Sequence, residues 1–167
     1  MKKKIFFLMM ALVLSASSFA QFEKGTSYLN ASLSGLDFNY TGEDKLKLDL
    51  TARCGYMIED NWMALGVMDY NYRKNAPTTF AVGAGIRYYI DQNGLYLGAG
   101  AKFKHFSFDD ESYNDLMPGV QIGYVFFVSK TVTIEPEFYY DQSFKEHSKY
   151  SGAGIRVGVG IFLDDLF

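Results

Sequence analysis

Cysteine, proline, histidine and long apolar runs are what this chain has least of. The single cysteine, Cys54, rules out an intramolecular disulfide, and three prolines leave few fixed breaks in the backbone. The two histidines, His105 and His147, could build a metal site only with carboxylates from elsewhere, and nothing in their spacing supports one. Asp109, Asp110, Glu111 and Asp115 crowd one stretch but lack the ordered spacing of a calcium loop, and read as a solvated acidic loop. No metal or cofactor is expected. Beyond residue 20 no stretch reaches the roughly 18 to 20 consecutive apolar residues that a spanning helix needs, which excludes a helical membrane protein. Positive charge is also in deficit, 16 Lys and Arg against 19 Asp and Glu, so no nucleic-acid partner is implied.

The N-terminus is the exception to this polar, broken texture. Lys2, Lys3 and Lys4 lead into the apolar run Ile5 to Leu14 and the small-residue stretch Ser15 to Ala20. Residues 1–20 read as a secretory signal peptide cut before Gln21, with Ser18 and Ala20 at the minus-three and minus-one positions. Its apolar core is too short for a retained span, and no cysteine follows for lipid attachment. Residues 21–167 are one domain by length, and loss of the three lysines takes the net charge from −3 to −6.

What the remaining chain has in abundance is aromatic residues, 13 Tyr and 12 of the 15 Phe, set in an alternating pattern. Read with a period of two, it divides into about eight segments of roughly 10 to 13 residues. In Lys45 to Tyr56, Leu46, Leu48, Leu50, Ala52, Cys54 and Tyr56 share one face, and Lys47, Asp49, Thr51 and Arg53 the other, as successive Cβ directions in a strand require. The split recurs with apolar rows Phe80 to Ile90, Leu95 to Phe103, Val120 to Val128, Val132 to Tyr140 and Ile155 to Leu163. A first, weaker segment spans Gly25 to Leu36. The third, Trp62 to Tyr72, is ambiguous in phase, because Leu65 and Val67 share parity with Asp69 and Asn71, and predicts a bulge or a mixed face. Pro136 sits mid-segment on an apolar face, forfeits a ladder bond, and predicts a local bulge.

Connections alternate in length. Those at Ile58 to Asn61, Asp91 to Gly94 and Ser129-Lys130 are tight, while Asp37 to Asp44, Arg73 to Thr78, Ser107 to Leu116 and Ser143 to Tyr150 are longer and more polar. Short periplasmic turns with longer external loops, and an even strand number that returns both termini to the periplasm, are the outer-membrane arrangement. A soluble barrel enclosing a ligand alternates too. The glycines Gly83, Gly85, Gly98, Gly100, Gly154, Gly158 and Gly160 decide the sidedness, because they share faces with Arg53, Arg87, Lys102, Glu135, Glu137 and Arg156. Small residues beside long charged ones suit a crowded lumen. The expected fold is therefore all-β, an eight-stranded antiparallel up-and-down transmembrane β-barrel with its apolar face to lipid.

The signal peptide, the alternating segments with Gly-rich inner faces and the C-terminal Phe167 together resemble the outer membrane protein beta-barrel domain family, the small barrels similar to OmpA, OmpX and OmpW. In such barrels a terminal aromatic, with apolar residues at alternate positions before it, is read by the barrel-assembly machinery; Phe167, Leu163 and Ile161 match, whereas Asp165 departs from the alternation. The resemblance implies residence in the outer membrane as a monomer, with membrane lipid and lipopolysaccharide as partners.

Two readings of chemistry follow. His105-Phe106-Ser107 puts a histidine and a serine on the outer face and is similar to the pair in outer-membrane lipid A deacylases, but position 108 is Phe where that motif has Asn, and no acidic partner is placed beside it. The charged inner residues form the alternative. A turn centred between Gln92 and Asn93 sets Arg87 against Gly98 and Lys102 against Gly83, and a hairpin centred between Glu146 and His147 sets Glu137 against Arg156 and Glu135 against Gly158. Arg53, Arg87, Lys102, Glu135, Glu137 and Arg156 are then expected to meet in one lumenal network that closes the barrel. The function expected is structural or surface-interacting, with narrow passive transport of a small or hydrophobic solute as the alternative and the deacylase third.

Overall fold

The alternation is realised as strands throughout. The structure, a computed structural model, describes residues 22–36, 49–71, 78–107, 112–145 and 151–163, with backbone alone at 33–36, 49, 78, 106–107 and 112–113. The strands are β1 (Ser27–Leu36), β2 (Asp49–Glu59), β3 (Trp62–Asn71), β4 (Thr78–Tyr89), β5 (Leu95–Ser107), β6 (Ser112–Tyr124), the two-residue β7 (Phe126–Phe127), β8 (Val132–Asp141) and β9 (Gly152–Leu163). Each pairs antiparallel with its chain neighbour, β6 and β7 run on as one stave against β8, and β9 returns to β1, so eight staves close on themselves. Residues 1–20, expected to be a signal peptide, the C-terminal Phe167, Asp109 to Glu111 and His147 lie outside the described residues.

Sidedness follows the sequence pattern. Leu50, Phe80, Val82, Ile86, Leu97, Phe103, Val120, Ile122, Phe138, Val157 and Val159 are exposed on the outer wall, while Arg53, Arg87, Glu135, Glu137 and Arg156 are buried inside. Tight connections are confined to one end, here called the turn end, where Asn61, Asp91 and Gln92 take positive φ of 67°, 46° and 54° and reverse the chain in a few residues. The opposite, loop end carries the longer connections.

Of two local expectations, one is met in one of its two forms and one is corrected. β3 pairs with β4 without a shift, and the irregularity falls on β2, between Met57 and Glu59. The ambiguity of β3 is instead a mixed inner face, with Met63 and Leu65 buried near the turn end and Asp69 and Asn71 nearer the loop end. Pro136 makes no bulge either. It stays in register with Val157, and its missing N–H is accommodated by a gap in the β6–β7 ladder, after which Phe126 meets Ile134 in the register Gly123 had with Glu137. Val125, in that gap, gives its N–H to the Gly94 carbonyl at 2.9 Å.

The hydrophobic core lies within the lumen at the turn end, where Met57, Met63, Leu65, Tyr28, Tyr89, Tyr96, Val125 and Phe162 converge. Phe22 completes it from a short strap that precedes β1. The Phe22 ring stacks on Tyr89 at 4.0 Å and meets Phe162 edge-on at 5.6 Å. The strap is tied across the β2–β3 turn by Asn61 N–H to the Phe22 carbonyl, Lys24 N–H to Asp60 Oδ1 and Gly25 N–H to the Met57 carbonyl. Gly25, at φ 99°, supplies the turn from the strap into β1.

Candidate functional site: the lumen

Above the aromatic floor, inward positions of β1, β2, β4, β5, β8 and β9 supply a second layer made of charge. The β8–β9 register sets Glu137 opposite Arg156 and Glu135 opposite Gly158, and the β4–β5 register sets Arg87 opposite Gly98 and Lys102 opposite Gly83. Glu137 is held by Arg53 through two parallel bonds, Nη1 to Oε2 at 2.9 Å and Nη2 to Oε1 at 2.8 Å, and by Arg156 Nη1 at 3.3 Å, Arg87 Nη2 at 3.5 Å and the Tyr96 hydroxyl at 2.9 Å. Glu135 accepts from Arg87 at 3.2 Å, from the Tyr28 hydroxyl at 2.5 Å and from Thr133 at 2.7 Å. Arg87, fully buried, also donates to the Tyr89 hydroxyl at 3.2 Å and lies 3.9 Å over the Tyr96 ring.

Five of the six charged residues read from the sequence therefore form one connected cluster. Lys102 does not join it. Its ammonium pairs with Asp141 at 2.6 Å and Asp69 at 3.1 Å in a separate layer nearer the loop end. Counting residues from a turn misjudges height in a barrel whose strands tilt and stagger, and so the sequence pattern groups Lys102 with the other five. Asp69 and Asp141 are the partners that the sequence reading missed. Asp141 continues the parity of Glu135 and Glu137 by two steps, a signal that was present; Asp69 lay in the strand of doubtful phase. The tyrosines at 28, 89 and 96 were missed as network members because an inward Tyr is legible as a ring but not as a hydroxyl aimed at a carboxylate.

Between the two layers lies a cavity of about 40 Å³, lined by Arg53, Arg156, Lys102, Asp141, Gln121 and Tyr139 and by the bare backbone of Gly85, Gly100 and Gly119. That space takes a few water molecules. Nearer the loop end, Asp115 of the acidic stretch is buried and accepts a 2.5 Å bond from Ser143.

On the outer wall, His105 Nδ1 lies 2.7 Å from Asn114 Oδ1 of β6. Ser107 ends β5 opposite Ser112, and its side chain is outside the described set. Ile161 faces outward and Leu163 is half-buried at the end of β9. At the turn-end surface Lys24 pairs with Glu59 at 2.8 Å, and that hydrogen bond holds the Lys24 ammonium above the usual lysine range.

No protein-family model and no curated protein sequence matches the chain. Solved structures do. The N-terminal β-barrel domain of Pseudomonas aeruginosa OprF superposes with a TM-score of 0.65 at 11% identity, over 84% of this chain and 98% of that one. Neisserial surface protein A gives 0.61 at 15% identity, over 83% and 97%. Yersinia pestis Ail, in complex with the heparin analogue sucrose octasulfate, gives 0.53 at 18% identity, over 84% and 99%. The shared feature is the closed eight-stranded antiparallel barrel of small outer-membrane proteins.

Proposed function

We propose that the chain is a monomeric, non-enzymatic barrel of the outer membrane whose lumen is closed by its own side chains and whose activity is surface interaction at the loop end. The observation that carries this reading is the pair of barriers in series, an aromatic floor sealed by Phe22 and, above it, Glu137 held by Arg53, Arg87 and Arg156. The outer wall of exposed Val, Ile, Leu and Phe suits contact with lipid and lipopolysaccharide, with both termini at the periplasmic side and Phe167, Leu163 and Ile161 offered to the assembly machinery.

The loop end supports interaction in a specific way. β5 and β6 pair as far as Ser107 and Ser112, whereas β8 pairs with β6 only up to Gly119. Among the described residues, Ser112 to Met117 therefore have no strand on their second side. Ser143 covers that side at Asp115, and the remaining edge at Ser112 to Asn114 can take an added strand from an extended polypeptide. The deacylase-like reading gains nothing from His105, since its partner Asn114 is neutral and cannot stabilise an imidazolium as a carboxylate does.

The test is electrical. Planar-bilayer recordings of the purified protein should show no steady conductance, and weakening the inner barrier through Glu137→Ala should raise conductance above that baseline. Steady conductance by the wild type, unchanged by Glu137→Ala, would reject the closed lumen and establish narrow passive transport.

A further inference from the structure

The wall of the barrel is not held equally at every seam. In the stave made by β6 and β7, odd-numbered residues direct their backbone groups at β5, as Val125 N–H does to the Gly94 carbonyl at 2.9 Å. Even-numbered residues direct theirs at β8, as the Pro118 carbonyl does in accepting from Gln142 N–H at 2.8 Å. Pro136 falls opposite Tyr124 in the register that joins Gly123 to Glu137 and Phe126 to Ile134, and its carbonyl turns back toward β6 beside Gly123. Both prolines of the described strands thus face one seam, and neither has an N–H to give to it. The carbonyls of Gln142 and Tyr124 lose their ladder donors, in a wall where lipid offers no water in exchange.

Side chains do little across this seam directly. β6 brings glycine to two of the inward pairs, Gly119 opposite Asp141 and Gly123 opposite Glu137. The cavity of about 40 Å³ lies along the same line, where Met117, Gln121 and Tyr139 border it. What spans the seam comes instead from β5. Lys102 reaches past Gly119 to Asp141 at 2.6 Å, and the Tyr96 hydroxyl reaches past Gly123 to Glu137 at 2.9 Å. A Cβ at Gly119 would overlap the Asp141 carboxylate, and one at Gly123 the Tyr96 hydroxyl. The glycines that thin the seam are therefore also the openings through which it is clipped.

We infer that the β6–β8 seam is a built-in opening line of the barrel, held shut by two clips that β5 passes over β6, Lys102 on Asp141 and Tyr96 on Glu137. The clips set how often the wall parts at this line while the other seams stay paired, a local opening of the kind that precedes global unfolding. This goes beyond closure of the lumen, since a plugged barrel needs no weak seam.

The experiment is amide hydrogen exchange, read residue by residue by NMR on the mature full chain in lipid nanodiscs. The seam-facing amides of Val120, Ile122, Phe138 and Tyr140 should exchange several-fold faster than the ladder amides between β3 and β4, which pair without a shift. Tyr96→Phe removes only the hydroxyl of one clip, and Asp141→Asn weakens the other while leaving Lys102 its bond to Asp69. Each should speed the seam amides further and leave those between β3 and β4 unchanged. Pro136→Val returns a donor for the Tyr124 carbonyl and should slow them. Seam amides protected as well as those between β3 and β4, or clip variants that speed every seam alike, would overturn the inference. Bilayer conductance reports on the lumen separately: a conducting barrel with a fast-exchanging seam fails the closed lumen alone, and a non-conducting barrel with uniform protection fails the seam alone.

Discussion

Glu137 is the residue on which the lumen converges, and its replacement should be the most damaging polar change in the barrel. Removing it takes from Arg53 and Arg156 the carboxylate they bind and leaves Arg87 with Glu135 alone, and leaving a buried charge unpaired costs about 3 to 5 kcal/mol. Urea unfolding in lipid vesicles should show that loss for Glu137→Ala. A double-mutant cycle should give stronger coupling of Glu137 to Arg53, which grips it through two parallel bonds, than to Arg156, which uses one. Equal couplings would mean that the two-pronged geometry confers no advantage. Glycine matters here for space. A methyl group at Gly123 would overlap the Tyr96 hydroxyl and ring and stand 2.8 Å from the Pro136 carbonyl. Gly123→Ala should therefore push Tyr96 off Glu137 and cost about 1 to 3 kcal/mol, the usual range for overpacking, in the same unfolding assay.

At the scale of the strand, the two faces should differ sharply in what they tolerate. Val159→Arg places a charge on the outer wall of β9, where mid-bilayer positions cost about 2 to 4 kcal/mol, whereas Gln121→Glu places one beside the cavity cations and should cost less. The yield of heat-resistant folded protein on a gel checks this, and similar yields would show that the faces have been assigned wrongly. Gly85 is no neutral control for the lumen, because a Cβ there would stand 2.8 Å from the Ala99 carbonyl. The strands, their faces and the pairing of Glu137 with Arg156 were legible because a period of two leaves only one way to bury glycine and charge together. Which residues bond across the lumen was not. Arg53 on β2 meets Glu137 on β8 across the lumen, and no count along the chain specifies a contact that depends on stagger around the barrel. The apolar floor escaped for a related reason, since Met57, Met63, Tyr89 and Phe162 share parity with polar residues and come together only when the barrel closes.

For the whole molecule, the strap before β1 governs the turn-end mouth. Phe22→Ala removes a ring packed between Tyr89 and Phe162, and truncation of a core Phe costs about 3 to 5 kcal/mol. The folded band should be lost at a lower temperature. In a Cys54→Ser background, a thiol introduced by Met63→Cys should become reactive toward a membrane-impermeant reagent once Phe22 is alanine, and stay unreactive while Phe22 is present. Protection of that thiol in both backgrounds would show that the deeper rings close the mouth without the strap.

The same strap also carries information about time. Phe22 belongs to the first stretch of described chain and Phe162 to the last strand, yet the two rings touch, and Phe22 is seated against Tyr89 from the middle of the sequence. Its berth does not exist until β9 has joined β1, so the berth cannot be filled by a chain still being delivered. A seated Phe22 is thus a stamp of completion: the berth stands open while the barrel is unfinished and is filled once β9 has met β1.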